Sequence, residues 1–255
     1  MSSSLLADKV VVVTGAGSGI GRATAILAAD EGAAGVVVTD RDADGLGQTV
    51  AEIGARGVAT ESLVASIDQG GAPDELVALA VKTFGRLDAA VNNAGIRGRL
   101  ATIDEVDDDL WDEVIRVNLH SVMRCVRAQL RQMYAQGSGA IVNVASAVLF
   151  GFQGQLAPYV ASKAGVVGLT KVAALEAGPK GVRVNVVCPG RTDTPLFNAH
   201  ASGDGPPKEK LVAAIPLGRT AAPVELADAL LWLCSERSSF VNGEVLVVDG
   251  GRTVS

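Results

Sequence analysis

Short runs of β-branched and aliphatic residues alternate along this chain with longer amphipathic segments, and this alternation restricts the fold more than any other feature. The short runs predict seven buried strands, at Val10 to Thr14, Val36 to Thr39, Val58 to Val64, Leu87 to Val91, Ala140 to Ala145, Val182 to Cys188 and Val245 to Val248. Segments with helical periodicity begin near Gly19, Asp42, Ala72, Leu110, Ala157 and Val224. Because strands that alternate with helices form parallel sheets covered on both faces, the sequence predicts a doubly wound α/β fold.

Length and composition favour one domain. The chain has 255 residues, of which 48% are hydrophobic and 20% charged, so it can bury a sizeable core. Since no repeat or low-complexity linker divides it, we expect residues 1–255 to form a single domain. Thr192 to Pro216 is the one irregular stretch, because Gly203 to Pro207 interrupts regular structure. We predict that this stretch is a mobile lid beside a site, with a plain surface loop as the alternative.

Charge and hydropathy argue against two classes of partner. The 22 Lys and Arg against 28 Asp and Glu leave a net charge of −6 without a basic run, so we expect no nucleic-acid partner. The longest uncharged stretch, Ala140 to Ser162, contains Asn143 and Gln153 and fits a buried strand and loop better than a membrane span. The first residues lack a secretory signal, so we expect no membrane association and a cytoplasmic location.

The cysteines and histidines are too scattered to predict a metal centre. Cys125, Cys188 and Cys234 lie far apart and lack the spacing of metal ligands. His120 and His200 match no ligand or catalytic pattern. We therefore expect structural thiols and no metal.

A glycine-rich sequence follows the first predicted strand directly. Residues 14–21 read TGAGSGIG, and Arg22 begins an alanine-rich helical pattern. In such a turn, glycines let backbone N–H groups approach a pyrophosphate, whose charge the helix N-terminus stabilises. The spacing departs by one residue from the usual dinucleotide fingerprint, and a tight turn without a ligand is the alternative. The position at the first strand favours phosphate binding.

An acidic residue ends the second predicted strand. Asp40 lies 19 residues after Gly21, where a carboxylate can accept hydrogen bonds from both ribose hydroxyls of an adenosine and would repel a 2′-phosphate. A helix-capping role is the alternative, but Asp42 is better placed to cap the following helix. The sequence thus predicts NAD rather than NADP, although Arg41 could pair with a 2′-phosphate.

Further motifs follow the glycine-rich turn in order along the chain. They are the sequence Asn92 to Gly95 after the fourth strand, Ser146 placed 13 residues before Tyr159, the pair Tyr159 and Lys163, and Pro189 with Gly190 after the sixth strand. With these motifs the chain resembles the short-chain dehydrogenase/reductase family, in its shorter branch, through Val248 to Gly251 near its end. The resemblance implies a Rossmann-like sheet with strand order 3-2-1-4-5-6-7.

The resemblance also implies a cofactor site. Its residues are Gly15, Ser18, Gly19, Ile20, Gly21, Asp40, Asn92, Ala94, Gly95, Tyr159, Lys163, Pro189, Gly190, Thr192 and Thr194. Among them, Asn92, Ala94 and Gly95 would pass under the adenine ribose and the phosphates, and Thr192 and Thr194 would meet the nicotinamide amide and the phosphates. Where the family usually has an aspartate that contacts adenine, this chain offers Ser66 or Asp68, and the choice between them stays open.

Four polar residues form the predicted catalytic set. Tyr159 and Lys163, spaced i and i+4 in a predicted helix, share one face, so the ammonium should lower the pKa of the phenol and let it act as a base. Ser146 would hydrogen-bond the substrate oxygen. Asn118 matches the family's fourth polar residue, which holds a water in a relay to Lys163. Each residue alone predicts little, whereas the complete set predicts catalysis.

These observations predict an NAD-dependent oxidoreductase that interconverts a secondary alcohol and a ketone, with Tyr159 as acid and base. An NADPH-dependent 3-oxoacyl-thioester reductase and a non-catalytic dinucleotide-binding regulatory protein are the alternatives. A small molecule is the expected substrate. The resemblance implies a homotetramer, with Val241 to Val248 in one interface.

The substrate pocket is predicted to be partly apolar. Its expected residues are Ala147, Phe150, Phe152, Gln153, Leu156, Leu196 and Phe197. Arg191 stands where the family commonly has an apolar or aromatic residue, with Arg97 and Arg99 on the same sheet edge. One hypothesis is that Arg191 binds an anionic group of the substrate; the alternative is that it pairs with Asp193 or with a cofactor phosphate.

Overall fold

One parallel sheet of seven strands organises the molecule, whose computed structural model describes residues 4–201 and 207–254. The strands are β1 (Val10–Thr14), β2 (Gly35–Asp40), β3 (Ala59–Val64), β4 (Ala89–Asn92), β5 (Gly139–Val144), β6 (Val182–Pro189) and β7 (Val245–Val248). Their order is β3-β2-β1-β4-β5-β6-β7, and every neighbouring pair is parallel. The predicted doubly wound, Rossmann-like fold and its strand order are confirmed.

Helices connect the strands. They are α1 (Gly19–Asp30), α2 (Ala43–Gly54), α3 (Ala72–Phe84), α4 (Asp108–Ile115), α5 (Ser121–Gln136), α6 (Ala157–Ala177), α7 (Pro195–Ala201), α8 (Lys208–Ala213) and α9 (Pro223–Cys234). Local sequence explains where some of them begin. Asp42 caps α2 by accepting a hydrogen bond from the backbone N–H of Gly45, and Pro223 occupies the first turn of α9, where its missing N–H costs nothing.

The core lies in two layers, one on each face of the sheet. Side chains alternate along β1, so Val10 and Val12 join the layer under α3, α5 and α6, while Val11 and Val13 join the layer under α1, α2 and α9. Continuous valine runs therefore fit central strands, which are buried on both faces.

The two outer strands are less buried than predicted. In β3 every residue is exposed or half-buried, with Val64 57% exposed, and all four residues of β7 are half-buried. Both strands lie at an edge of the sheet, where each has a neighbouring strand on one side only. The prediction of seven fully buried strands is therefore wrong at these two edges.

The segment between Thr192 and Pro216 is more regular than predicted. It contains α7 and α8, while residues 202–206, which include most of the predicted helix-breaking sequence, lie outside the described residues. Thr194 accepts a hydrogen bond from the backbone N–H of Phe197 at 3.2 Å, and Pro195 takes the first helical position. This Thr-Pro pair is a helix-start signal that the sequence interpretation passed over.

The sheet topology sets the position of the site. β1 lies between β2 and β4, so successive connections leave it toward opposite sides of the sheet. Crevices of open α/β sheets form at the carboxyl ends of the strands around such a point. Within the described part of the chain, no helix is long and apolar enough to cross a membrane.

Candidate active site

Two adjoining cavities open where the parallel strands end. The first, of 390 Å³, lies beside the ends of β1 and β2 and contains Gly15, Asp40 and Ala94. The second, of 520 Å³, lies beyond the ends of β5 and β6 and contains Ser146 and Tyr159. The two cavities form one continuous cleft because they share Ile20, Asn93, Gly95, Thr194 and Leu196.

Most predicted site residues line this cleft. They are Gly15, Ser18, Gly19, Ile20, Asp40, Ala94, Gly95, Ser146, Tyr159, Lys163, Pro189, Gly190, Thr192 and Thr194. Three other predicted residues are buried behind its wall, namely Gly21, Asn92 and Asn118. The cleft thus brings most of the expected cofactor and catalytic groups together, while these three residues do not line it.

The glycine-rich turn packs too tightly for side chains. Gly15 has a φ of +67°, in the left-handed region that glycine adopts readily. A Cβ on Gly21 would collide with the carbonyl oxygen of Gly15 and lie 2.6 Å from Nδ2 of Asn93. Gly21 therefore supports the turn from inside α1 and does not face the cleft.

Asp40 is held in place at the end of β2. Its Oδ2 accepts a hydrogen bond from the backbone N–H of Gly17 at 2.8 Å, and its Oδ1 accepts one from that of Asp42 at 3.0 Å. A Cβ on Gly17 would come within 2.8 Å of the Asp40 Cγ, so the close approach needs glycine. Arg41 lines the same cavity.

The two asparagines at the end of β4, Asn92 within the strand and Asn93 just after it, have different positions. Asn92 is buried, where its amide donates to Gln129 at 3.0 Å and to Asn143 at 2.9 Å. Asn93 lines both cavities and donates to the backbone oxygens of Thr14 and Gly15, each at 3.1 Å. The structure therefore gives no support to a direct cofactor contact by Asn92. Since side chains alternate in a strand, the register of β4 was the signal that separates them.

The adenine end of the cleft distinguishes Ser66 from Asp68. Ser66 lines the first cavity. Asp68 is 8% exposed, forms an ion pair with Arg116 and accepts a hydrogen bond from the Ser66 hydroxyl. Of the two candidates, Ser66 is the one placed to reach a ligand, and Asp68 orients it.

Three of the predicted catalytic side chains meet in the second cavity. The Tyr159 phenol and the Ser146 hydroxyl are hydrogen-bonded. Lys163 donates from Nζ to the backbone oxygen of Val144 at 2.9 Å and lies 5.8 Å from the centre of the Tyr159 ring. β5 therefore positions both Ser146, just beyond its end, and the ammonium of Lys163.

The pKa of Tyr159 differs from the prediction. Burial raises it above its ordinary value, while the hydrogen bond to Ser146 and the charge of Arg97 oppose that rise. Burial also lowers the pKa of Lys163 to about 8. The expected depression of the phenol pKa by Lys163 is therefore wrong, because desolvation disfavours the phenolate more than the hydrogen bond to Ser146 and the charge of Arg97 favour it.

Asn118 lies in a π-helical turn, Arg116–His120, that joins α4 directly to α5. Its amide donates to the backbone oxygen of Ile96 at 2.8 Å and accepts from the backbone N–H of Ile96 at 2.8 Å. A Cβ on Gly95 would lie 3.1 Å from Oδ1 of Asn118 and 3.3 Å from Nζ of Lys163. Asn118 thus holds the strand-end loop against Lys163, and π-helical turns are frequent at functional sites.

Nearly the whole chain is similar to known proteins. The family described as Enoyl-(Acyl carrier protein) reductase matches residues 15–253. A cis-4-hydroxycyclohexanecarboxylate dehydrogenase of Sinomonas cyclohexanicum is 43% identical over 97% of this chain and 97% of its own, and a 3-oxoacyl-(acyl-carrier-protein) reductase of Thermotoga maritima is 39% identical over 98% and 99%. A solved short-chain type dehydrogenase/reductase of Mycobacterium marinum has a TM-score of 0.90 at 31% identity, over 99% of this chain and 98% of that one. This chain belongs to the short-chain dehydrogenase/reductase family.

As a short-chain dehydrogenase/reductase, the protein is an oxidoreductase of a family that binds a nicotinamide dinucleotide. The first cavity fits that cofactor. Ser18 precedes α1, but its hydroxyl accepts no hydrogen bond from the first backbone N–H groups of the helix. Because Ser18, Gly19 and Ile20 line the cavity, the N-terminus of α1 is open to an anion. No cluster of metal-ligating side chains occurs among the described residues.

The second cavity is partly apolar. Six of the predicted pocket residues line the second cavity, namely Ala147, Phe152, Gln153, Leu156, Leu196 and Phe197. Phe150 does not line it and is 48% exposed.

Several cavity residues were missed from the sequence. Lys210, Leu211 and Ala214 reach the second cavity from α8 and the residue after it, and Arg252 and Thr253 reach it from the turn after β7. These residues are far apart in sequence and follow no recognisable motif, so no local signal identified them.

Proposed function

We propose that the protein is an NAD-dependent oxidoreductase that interconverts a secondary alcohol and a ketone, with Tyr159 as the acid and base. One observation carries this proposal. The hydrogen-bonded pair of Ser146 and Tyr159 lies with Lys163 in a cavity that continues into the cleft beside α1. A protein that only bound a dinucleotide would not need this set.

The side chains divide the work on the substrate oxygen. Ser146 donates a hydrogen bond to it, and Tyr159, whose raised pKa keeps the phenol protonated at neutral pH, donates the proton during ketone reduction. Alcohol oxidation requires the reverse transfer, to the phenolate. A bound nicotinamide supplies or accepts the hydride. Lys163 supplies positive charge beside the phenol and, as the family resemblance implies, binds the nicotinamide ribose.

The preference for NAD rests on Asp40. Two backbone N–H groups orient its carboxylate in the first cavity, where it would accept hydrogen bonds from ribose hydroxyls and repel a 2′-phosphate. The remaining proposed contacts follow the cleft. Ser66 would meet adenine, and the backbone at Gly190 and Thr192 would meet the nicotinamide.

An NADPH-dependent 3-oxoacyl-thioester reductase is the second candidate. The similarity to the Thermotoga maritima enzyme supports it, as does Arg41 beside the adenosine end of the cleft. Asp40 in the same cavity opposes it, because a carboxylate there would repel the 2′-phosphate.

Steady-state kinetics of the purified protein distinguishes these functions. We expect turnover of secondary alcohols with NAD, and much slower turnover with NADP. A higher kcat/KM for NADPH with 3-oxoacyl thioesters would favour the second candidate. Tight dinucleotide binding without turnover of alcohols, ketones or thioesters would instead indicate a regulatory protein.

A homotetramer in the cytoplasm is the proposed assembly and location. Support comes from the half-buried edge strand β7, within Val241 to Val248, and from Val172 and Leu175, exposed apolar residues of α6 that a second copy would cover. Sedimentation analysis at assay concentrations should give four copies, and a monomer would contradict this. Cell fractionation tests the location.

A further inference from the structure

The second cavity, which would hold the substrate in the proposed function, is lined by several positively charged residues. Besides Lys163, the side chains of Arg97, Arg191, Lys210 and Arg252 line it. Among the described residues, no Asp or Glu lines the same cavity. The protein as a whole is acidic, with a net charge of −6, so this excess of cations is a local property of the cavity.

The guanidinium of Arg191 is held by a backbone carbonyl group. Its Nη1 donates to the carbonyl oxygen of Leu211, in α8. Asp193, the acidic residue nearest to it in sequence, accepts a hydrogen bond from Asn198 at 2.9 Å and lies 3.7 Å from Nζ of Lys208. The alternative in which Arg191 pairs with Asp193 is therefore not the arrangement found.

Arg252 comes to the same cavity from the other side. The Asp249 carboxylate accepts hydrogen bonds from the backbone N–H groups of Gly251 at 2.9 Å and Thr253 at 2.8 Å, which fixes the turn that carries Arg252. Nη1 of Arg252 lies 3.7 Å from the position of a Cβ on Gly151, in the loop before α6. The Arg252 side chain thus reaches from the turn after β7 to the loop at Gly151.

Arg191 is close enough to Arg252 to feel its charge. Burial lowers the pKa of Arg191, and the positive charge of Arg252 lowers it further. Several guanidinium and ammonium charges in one partly desolvated cavity favour the binding of an anion there. Arginine forks match the two oxygens of a carboxylate, so a planar anion is the natural complement of this pair.

From this arrangement we infer that the substrate of the proposed alcohol–ketone reaction carries a carboxylate, bound by Arg191 and Arg252 at the end of the cavity away from the reacting carbon. The inference rests on the proposed function and adds the substrate class. Phe152 and Leu156 contact the apolar body between the carboxylate and the carbon that Tyr159 and Ser146 address. Neutral alcohols of the same shape offer these two guanidinium groups no carboxylate to bind.

A matched pair of probes tests this: 4-hydroxycyclohexanecarboxylate and its primary carboxamide, which has nearly the same shape without the charge. We expect the wild-type protein with NAD to prefer the carboxylate, mainly through KM. Arg191→Leu and Arg252→Leu should each lower kcat/KM for the carboxylate by about 10- to 100-fold, the range for a lost hydrogen bond to a charged group, with little change for the amide. The control is Arg99→Leu, because Arg99 is ion-paired with Asp107 at 2.6 Å and does not line the cavity.

Calorimetric titration of the protein–NADH complex with 4-oxocyclohexanecarboxylate separates this inference from the proposed function. Binding that both arginine variants weaken, without turnover of either probe, would support carboxylate recognition and contradict the proposed function. Equal use of carboxylate and amide by the wild type, or an equal loss on both probes in the variants, would overturn the inference while the function stands. If the protein neither binds nor turns over the carboxylate, the inference is also overturned.

Discussion

The half of the cleft beside β1, β2 and β4 includes a glycine-rich turn packed against its own backbone, and we call it the backbone-built half, whereas the half beyond β5 and β6, the side-chain-built half, holds the proposed catalytic side chains. In the first half, the turn at Gly15, the start of α1 and the loop at Ala94 all border the cavity. In the second half, Ser146, Tyr159 and Arg252 reach inward from separate elements. A backbone-built site accepts one ligand type and tolerates few substitutions, while a side-chain-built site can change its substrate by changing residues.

The strongest test of this contrast removes one side-chain atom from the second half. Tyr159→Phe should lower kcat by about 10²- to 10⁴-fold, the usual contribution of a positioned acid or base, while the Kd for NADH changes little. Tyr134, the only other tyrosine, is the matched control, because it stacks on Lys180 at 4.0 Å, away from the cleft. If Tyr159→Phe kept wild-type turnover, the two halves would not divide chemistry from cofactor binding in this way.

A methyl group added to the first half tests the backbone-built site. Gly21→Ala places a Cβ against the Gly15 carbonyl and should weaken NADH binding at least tenfold, with a loss of stability of about 1–3 kcal/mol as for other overpacked sites. Gly47→Ala in α2 is the control, because nothing lies within 4 Å of its Cβ, and it should stabilise the helix slightly. Fluorescence titration and thermal unfolding measure both effects. Wild-type NADH affinity in Gly21→Ala would show that the turn is less constrained than its packing indicates.

Cofactor choice depends on one side chain within the backbone-built half. Asp40→Ala should raise the ratio of kcat/KM for NADP to that for NAD by about tenfold, since removing a charge repulsion in a partly desolvated cleft changes binding by a kcal/mol or more. Asp44→Ala, an exposed change in the first turn of α2, should leave the ratio unchanged. A wild-type protein that already prefers NADP would contradict the role of Asp40 before any variant is made.

The smallest expected effect is a shift in pH dependence. Because burial raises the pKa of Tyr159, kcat/KM for alcohol oxidation should increase with pH through the alkaline range as the phenolate forms, whereas ketone reduction should stay level until the phenol loses its proton. The charge of Arg97 opposes the rise in the pKa of Tyr159, so Arg97→Leu should shift the pH profiles of oxidation and reduction, here called the two limbs, to higher pH. Profiles measured in both directions check this. Unchanged limbs in the variant would mean that Arg97 does not act on the phenol.

Much of the backbone-built half could be predicted from sequence because its signals are local. The turn at residues 14–21 and Asp40 follow predicted strands directly, and chain order places them at one sheet edge. The direction of individual side chains could not be predicted. Asn92 ends β4 with its side chain buried, while the next residue, Asn93, lines the cavity. The choice between Ser66 and Asp68, which the sequence left open, depends on which of them meets the cavity.

In the other half, the motif spacing led to Ser146, Tyr159 and Lys163, which line the cavity. No sequence signal indicated Lys210, Leu211 and Arg252, because their positions depend on how distant segments converge. The helical start at Thr194 and Pro195 could have been recognised, since capping residues are visible in sequence. The π-helical turn around Asn118 could not, because it depends on contacts with the loop at Ile96.

The sequence alone determined the elements of this protein, their order and the set of residues proposed for catalysis, because hydrophobic periodicity and turn chemistry act over a few residues. Only the tertiary structure decided the electrostatics of the site. Burial raises the pKa of Tyr159 and lowers that of Lys163 to about 8, in both cases away from the charged form. Desolvation depends on everything that packs around a group. The proximity of Arg191 and Arg252 likewise depends on the tertiary structure, because the two residues lie on separate segments of the chain.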